Sequence, residues 1–87
     1  MTELRLRKEK LEWLETGGEI VALDETELAY LAANASGSLL WSELARGATP
    51  ERLVSRLVET FEIDIATAER DVDAFLADLD GRGLLEK

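Results

Sequence analysis

The chain has 87 residues, 46% of them hydrophobic, which suits one small domain with a packed core. It contains no cysteine and no histidine, which excludes disulfides and thiolate catalysis and removes the commonest general base and metal ligand. Its net charge of −9 opposes binding to a phosphate backbone, and no stretch is apolar enough to span a membrane. We therefore expect one domain, residues 1–87, in the reducing cytoplasm, with no cofactor and no metal.

Residues 1–10 carry the basic cluster of the chain, formed by Arg5, Arg7, Lys8 and Lys10. No apolar stretch of signal-peptide length follows it. Because the remainder is acidic, we interpret this segment as a solubilising arm or a strand extension rather than as a nucleic-acid contact.

Short apolar runs separated by turn residues predict strands in the first third of the chain. Residues 11–14 form the first run, and Gly17-Gly18 suits a hairpin turn because glycine reaches positive φ without steric cost. The partly β-branched run 20–23 predicts a second strand, and residues 24–27 a polar connection.

Residues 28–33 are ambiguous, because leucine and alanine after an acidic start favour a helix. Two observations favour a strand instead. Residues 34–37 form a natural break with an N-cap residue for a following helix, and a lone two-stranded hairpin would be marginally stable. We interpret residues 28–33 as a third strand.

Three segments after this break have apolar residues at helical spacing. The first helix is predicted over about residues 35–45. The second begins with Thr49 as N-cap and Pro50 at the first helical position, and the third begins near Asp64. The predicted apolar face of the third helix comprises Ile65, Ala68, Val72, Phe75, Leu76 and Leu79. This element order predicts an α+β fold, a three-stranded antiparallel sheet followed by three helices, compatible with a winged helix-turn-helix.

The sequence offers little catalytic chemistry. Acidic residues flank the third helix, but without the glycine-containing loop of a calcium site they are best explained as a solvated face. Neither a phosphate-binding glycine loop nor a serine elbow is found, so we expect no enzymatic activity. A DNA-binding winged-helix regulator is the alternative function, although Arg70 is the single internal basic residue of a strongly acidic third helix. A carrier-like or structural subunit ranks last, since no phosphopantetheine-type Asp-Ser pair is found.

The third strand carries the main functional hypothesis. Residues 28–33 contain no charge and no proline, whereas natural sheet edges are usually defended by charges, prolines or bulges. Such an edge is either covered by the protein's own helix or open to a guest strand. If the third helix leans towards it, a groove forms with a floor of Tyr30, Leu31, Ala74 and Phe75 and a rim of Asp71, Asp78 and Arg82. The alternative, in which Tyr30 and Phe75 are ordinary core residues, stays open.

Several short pieces, in this order and spacing, resemble the PqqD-like peptide-recognition domains called RiPP recognition elements, above all the stand-alone type of lasso-peptide gene clusters. The resemblance covers nearly the whole chain. Its pieces are Asn34-Ala35-Ser36-Gly37 leading into Trp41, Gly47-Ala48-Thr49-Pro50-Glu51, Asp64, Asp71-Val72 with Phe75 and Leu79, and Gly83-Leu84.

The resemblance implies a winged helix-turn-helix domain that binds the leader of a ribosomally made precursor peptide. The leader, typically with a tyrosine and a proline, adds as an antiparallel strand beside the third strand and fills a cleft against the third helix. The implied binding residues are Leu28, Ala29, Tyr30, Leu31, Ala32, Ala33, Asp71, Ala74, Phe75 and Asp78. The implied partners are a separate cysteine-protease-like leader peptidase and a cyclase.

The chain departs from this family pattern in its third strand. Ala33 stands where the family usually has leucine, and Ala29 and Ala32 leave the strand without a second bulky residue. We therefore expect a shallower cleft, or one shaped for a different leader.

Overall fold

A computed structural model of the chain describes residues 3–26 and 29–86, with the backbone alone at Ala29 and Tyr30. The described residues form three strands and then three helices, which confirms the predicted α+β fold. The elements are β1 (Leu11–Thr16), β2 (Glu19–Asp24), β3 (Ala29–Ala33), α1 (Ala35–Arg46), α2 (Pro50–Phe61) and α3 (Ile65–Gly81). Leu28, predicted as the first residue of the third strand, lies outside the described residues.

The sheet is antiparallel with the strand order β1-β2-β3. Gly17 and Gly18 both have positive φ, 60° and 81°, and form the predicted two-residue turn between Thr16 and Glu19. Hydrogen-bonded pairing with β2 decides the ambiguous segment in favour of a strand, against its helix propensity.

The helix boundaries follow the capping signals in the sequence. Asn34 accepts a hydrogen bond from the backbone N–H of Gly37 at 2.9 Å, and Thr49 accepts one from that of Arg52 at 3.2 Å. Asp64 is the N-cap residue of α3, without a side-chain cap bond. All three helices therefore start where predicted.

The core lies between one face of the sheet and the helices. Its largest fully buried side chains are Ile20, Leu40, Leu44, Leu53, Leu57, Val72 and Leu84. The prediction that Ile65 belongs to the core-facing side of α3 is wrong, because Ile65 is 62% exposed at the start of that helix. Periodicity alone does not reveal that the first turn of α3 projects beyond the core.

The described part of the basic N-terminal segment is packed against the fold, with isolated antiparallel bridges from Leu4 to Ala48 and from Leu6 to Leu85. Leu6 is buried, and Leu4 exchanges two backbone hydrogen bonds with Ala48, at 2.8 and 2.9 Å. Arg7 donates to the carboxylate of Asp24 at 2.6 Å and to backbone carbonyls, among them that of Gly83 at 2.9 Å. Asp24, expected in a polar connection, is instead a buried end of β2.

A second buried carboxylate, that of Glu43, joins α1 to α2. Its oxygens accept hydrogen bonds from Arg46 at 3.2 Å and from Arg52 at 2.9 Å, and Arg56 approaches to 3.8 Å. Such burial of a charge is tolerated because it is paired and hydrogen-bonded. These ion pairs therefore fasten α1 to α2.

Candidate functional site

β3 forms one edge of the sheet that the described residues build, with β2 on one side only. Two-residue hairpins close on a hydrogen-bonded pair, so the backbone groups of Glu19 face β1 and those of Ile20 face β3. The pairing Ile20↔Ala33 and the alternation of strands then turn the N–H and C=O of Tyr30 and Ala32 to the free edge. These residues are the ones that can pair with an added strand.

The side chain of Ser38 fastens the end of this edge to α1. Its hydroxyl accepts from the backbone N–H of Ile20 at 3.0 Å and donates to the carbonyl of Ala33 at 3.1 Å. Ser38 is buried; its bond from Ile20 is buried as well, and its bond to Ala33 is partly buried. The hydroxyl thus replaces a direct backbone bond at the last pair of β2 and β3 and holds the strand against the first turn of α1.

A cleft of about 380 Å³ lies between β3 and α3. Directly paired strand residues share a face, so Leu31 and Ala33 point, like Ile20 and Ala22, towards the helices. The cleft is lined by Ile20, Ala22, Leu31, Ala32, Ala33, Asn34, Gly37, Trp41, Phe75, Asp78, Leu79 and Arg82. It therefore opens directly beside the unpaired backbone of the edge strand.

The helical wall of the cleft is one face of α3. Phe75, Asp78 and Arg82 follow one another at three- and four-residue steps and so lie on the same side. Arg82 donates to both carboxylate oxygens of Asp78 at 3.2 Å, so the wall is apolar at Phe75 and charged one to two turns later. Both charged side chains are exposed.

The opposite end of the cleft depends on Gly37 in the first turn of α1. A Cβ built there would lie 3.3 Å from the Cβ of Ala33 and 3.7 Å from Cε1 of Phe75. The lack of a side chain lets the first turn of α1 lie close to Ala33 of the edge strand, whereas a Cβ would meet Phe75 at an ordinary contact distance. Any larger residue at this position would enter the cleft.

The floor of the cleft is made of buried side chains from the sheet, from α1 and from α3. Ile20, Ala22, Leu79 and Trp41 each line it while being at most 3% exposed. Trp41 also packs edge-to-face on Trp13 of β1, with ring centroids 6.1 Å apart and an angle of 75°. Through Trp41, α1 contributes to the floor of the cleft, a contribution that the sequence-based groove did not include.

The structure brings half of the predicted site residues together. Leu31, Ala32, Ala33, Phe75 and Asp78 line the cleft, and Arg82, predicted at its rim, joins them. Asp71 and Ala74 have exposed side chains and do not line the cleft. Of the remaining three, Ala29 and Tyr30 have a described backbone only, and Leu28 is not described.

Sequence reasoning did not assign Asn34, Gly37, Trp41 or Leu79 to the site. A glycine in the first turn of a helix is unfavourable, and that cost was the one available signal for the close approach at Gly37. Trp41 reads as an ordinary core residue, which is the commoner role of an aromatic side chain in an apolar helix.

The described residues hold no group of three or more acidic side chains arranged to bind a metal ion. Within the same ranges, no helix has the length and apolar character needed to cross a membrane. The cleft offers backbone hydrogen bonding, apolar contact, the Asp78–Arg82 ion pair and the polar groups of the Asn34 and Trp41 side chains.

Comparisons with known proteins agree with this geometry. Residues 19–85 match the family model described as coenzyme PQQ synthesis protein D (PqqD). A solved structure of TbiB1 in complex with the TbiA(beta) leader peptide is 30% identical, covers 94% of both chains and superposes with a TM-score of 0.86. A lasso peptide synthetase B1 complexed with the leader peptide is 27% identical over 98% of this chain and 99% of its own, with a TM-score of 0.84. No protein of curated function matches significantly.

Proposed function

Because this chain belongs to the PqqD family, we propose that it is a non-catalytic adaptor which binds the leader of a ribosomally made precursor peptide as an added β-strand. One observation carries the proposal, namely the uncharged free edge of β3 beside a cleft closed by α3. The two similar structures support it, since each contains a protein bound to a leader peptide.

In binding by strand addition, backbone hydrogen bonds supply affinity and side-chain pockets supply selectivity. Tyr30 and Ala32 supply backbone N–H and C=O groups that can form hydrogen bonds with the backbone of any extended segment. Every second leader side chain then points to the helices and enters the cleft, where Phe75 and the Asp78–Arg82 pair distinguish one leader from another. Asp71 lies one turn before Phe75 on the same side of α3, so it contacts leaders that extend past the cleft.

Binding of the leader is by itself sufficient for an adaptor role. A precursor held by its leader is presented to processing enzymes at a raised effective concentration, without any chemistry in this chain. We propose a separate leader peptidase of the cysteine-protease type as the enzyme served first, followed by a cyclase, in lasso-peptide biosynthesis in the cytoplasm. This part rests on the family resemblance.

A titration tests the proposal. The probe is a fluorescein-labelled synthetic leader of a lasso-peptide precursor sought among the genes that neighbour the gene of this chain, and the control is a scrambled leader of identical composition and charge. We expect saturable one-to-one binding of the leader and none of the scrambled peptide. Equal affinity for the two peptides, or no binding of either, contradicts the proposal. Adding this chain should also accelerate cleavage of the full precursor by the peptidase, and not cleavage of a precursor with a scrambled leader.

A further inference from the structure

The indole N–H of Trp41 is a buried donor without an acceptor. Trp41 is 2% exposed, and its Nε1 is the one buried side-chain polar atom without a hydrogen-bond partner in the part of the chain that the structure describes. Buried donors are nearly always paired, because leaving one unpaired forfeits its hydration. Trp41 also lines the cleft, so the place where an acceptor is missing adjoins the place where a peptide is proposed to bind.

The neighbouring ring of Trp13 does not replace the missing acceptor. The two rings meet edge-to-face with centroids 6.1 Å apart. A contact between an N–H and an aromatic face is much weaker than a hydrogen bond to oxygen. Trp13 is moreover 41% exposed and does not line the cleft, so it can be substituted without changing a residue of the cleft floor.

We infer that Trp41 selects the leader by donating its indole N–H to an acceptor on a leader side chain, an inference that rests on the proposed function. The acceptor has to be on a side chain for a geometric reason. An added strand lies in the plane of the sheet, about 4.8 Å from β3, whereas Trp41 belongs to the helical layer beneath it. Only a leader side chain that points to the helices, and is long enough to cross the cleft that Leu31 and Phe75 line, reaches the cleft floor.

The chemical class of this leader residue follows. It combines an apolar body, which fits between apolar walls, with an oxygen at its tip that accepts the bond. A purely aliphatic side chain would fill the cleft and leave the donor unpaired. A carboxylate on that side chain would instead lose its hydration on a floor formed mostly by apolar side chains.

Nitrogen-15 NMR of the wild-type chain tests the inference directly, because its two tryptophans give two indole signals, and W13F assigns them. On addition of the synthetic leader we expect the Trp41 indole proton to shift downfield and to exchange more slowly with water. An unchanged Trp41 signal at saturating leader overturns the inference while the proposed function stands. Failure of the leader to bind at all overturns both.

A double-mutant cycle supplies the second test. W41F keeps an aromatic ring and removes the donor, and we expect it to weaken leader binding about five- to thirtyfold. Each helix-facing leader residue with an oxygen is then replaced by its closest isostere without one. At a single position the two changes should be strongly non-additive. Full additivity at every position, or leader affinity unchanged in a W41F protein that has merely lost thermal stability, contradicts the inference.

Discussion

A proline at Ala32 removes an outward backbone donor without touching the pairing of β3 with β2. The N–H of Ala32 faces the free edge, and its neighbour Leu31 carries the groups that pair with Ala22. Proline is tolerated on edge strands for this reason, so the free energy of unfolding should change by no more than about 1 kcal/mol. Leader binding, in contrast, loses one hydrogen bond and leaves a leader carbonyl unpaired beside the proline ring. Together these effects cost about 2–3 kcal/mol, or roughly a 30- to 150-fold increase in Kd.

The matched control lies on the opposite edge of the sheet. By the same alternation, the N–H of Glu15 in β1 faces away from β2, so E15P also places a proline on an edge strand. E15A separates the loss of the charge from the effect of the proline. Fluorescence anisotropy with the labelled leader, and thermal unfolding of each variant, are the assays. Wild-type affinity in a folded A32P protein, or an equal loss in E15P, would refute strand addition at β3.

Four further variants, one of them a control, separate binding from stability. F75A should weaken leader binding about five- to thirtyfold by removing apolar contact in the cleft, whereas E69A, on another side of α3, should leave the anisotropy titration unchanged. S38A should lower the free energy of unfolding by about 1–3 kcal/mol, because the buried N–H of Ile20 and the partly buried carbonyl of Ala33 lose their partner. R7M should cost about 3–5 kcal/mol in urea denaturation, because it removes the guanidinium that pairs at 2.6 Å with the buried carboxylate of Asp24.

Each of these three results has a contrary outcome. Similar Kd values for F75A and E69A would show that the cleft does not contact the leader. Unchanged stability of S38A would show that water or a direct backbone bond replaces the hydroxyl. An R7M protein as stable as wild type would show that the N-terminal segment contributes little to the fold.

Local signals were sufficient to predict the order of elements and most of their boundaries. The Asn34 and Thr49 caps and the Gly17-Gly18 turn act over a few residues, and the structure contains each of them at the predicted place. The strand at residues 29–33 was harder, because its composition favours a helix. The requirement that a hairpin needs a third strand decided that case, and this is a tertiary argument rather than a local one.

Contacts between distant parts of the chain were not predictable in this way. The packing of Leu6 beside the C-terminal residues and the burial of Asp24 depend on elements that lie far apart in sequence. Trp41 joined the site for the same reason, since only the crossing of α1 beneath the sheet places it at the bottom of the cleft. Helical periodicity predicted which residues of α3 face inwards, but not that Ile65 extends past the core.

Amide hydrogen exchange is the most direct test of where the leader binds. The backbone N–H groups of Tyr30 and Ala32 face the free edge, so they should exchange fast in the free protein and slowly once saturating leader is added. The N–H groups of Trp13 and Glu15, on the other edge, should be unaffected. Protection that appears on β1 or on the α1–α2 surface, with Tyr30 and Ala32 still exchanging fast, would contradict strand addition at β3.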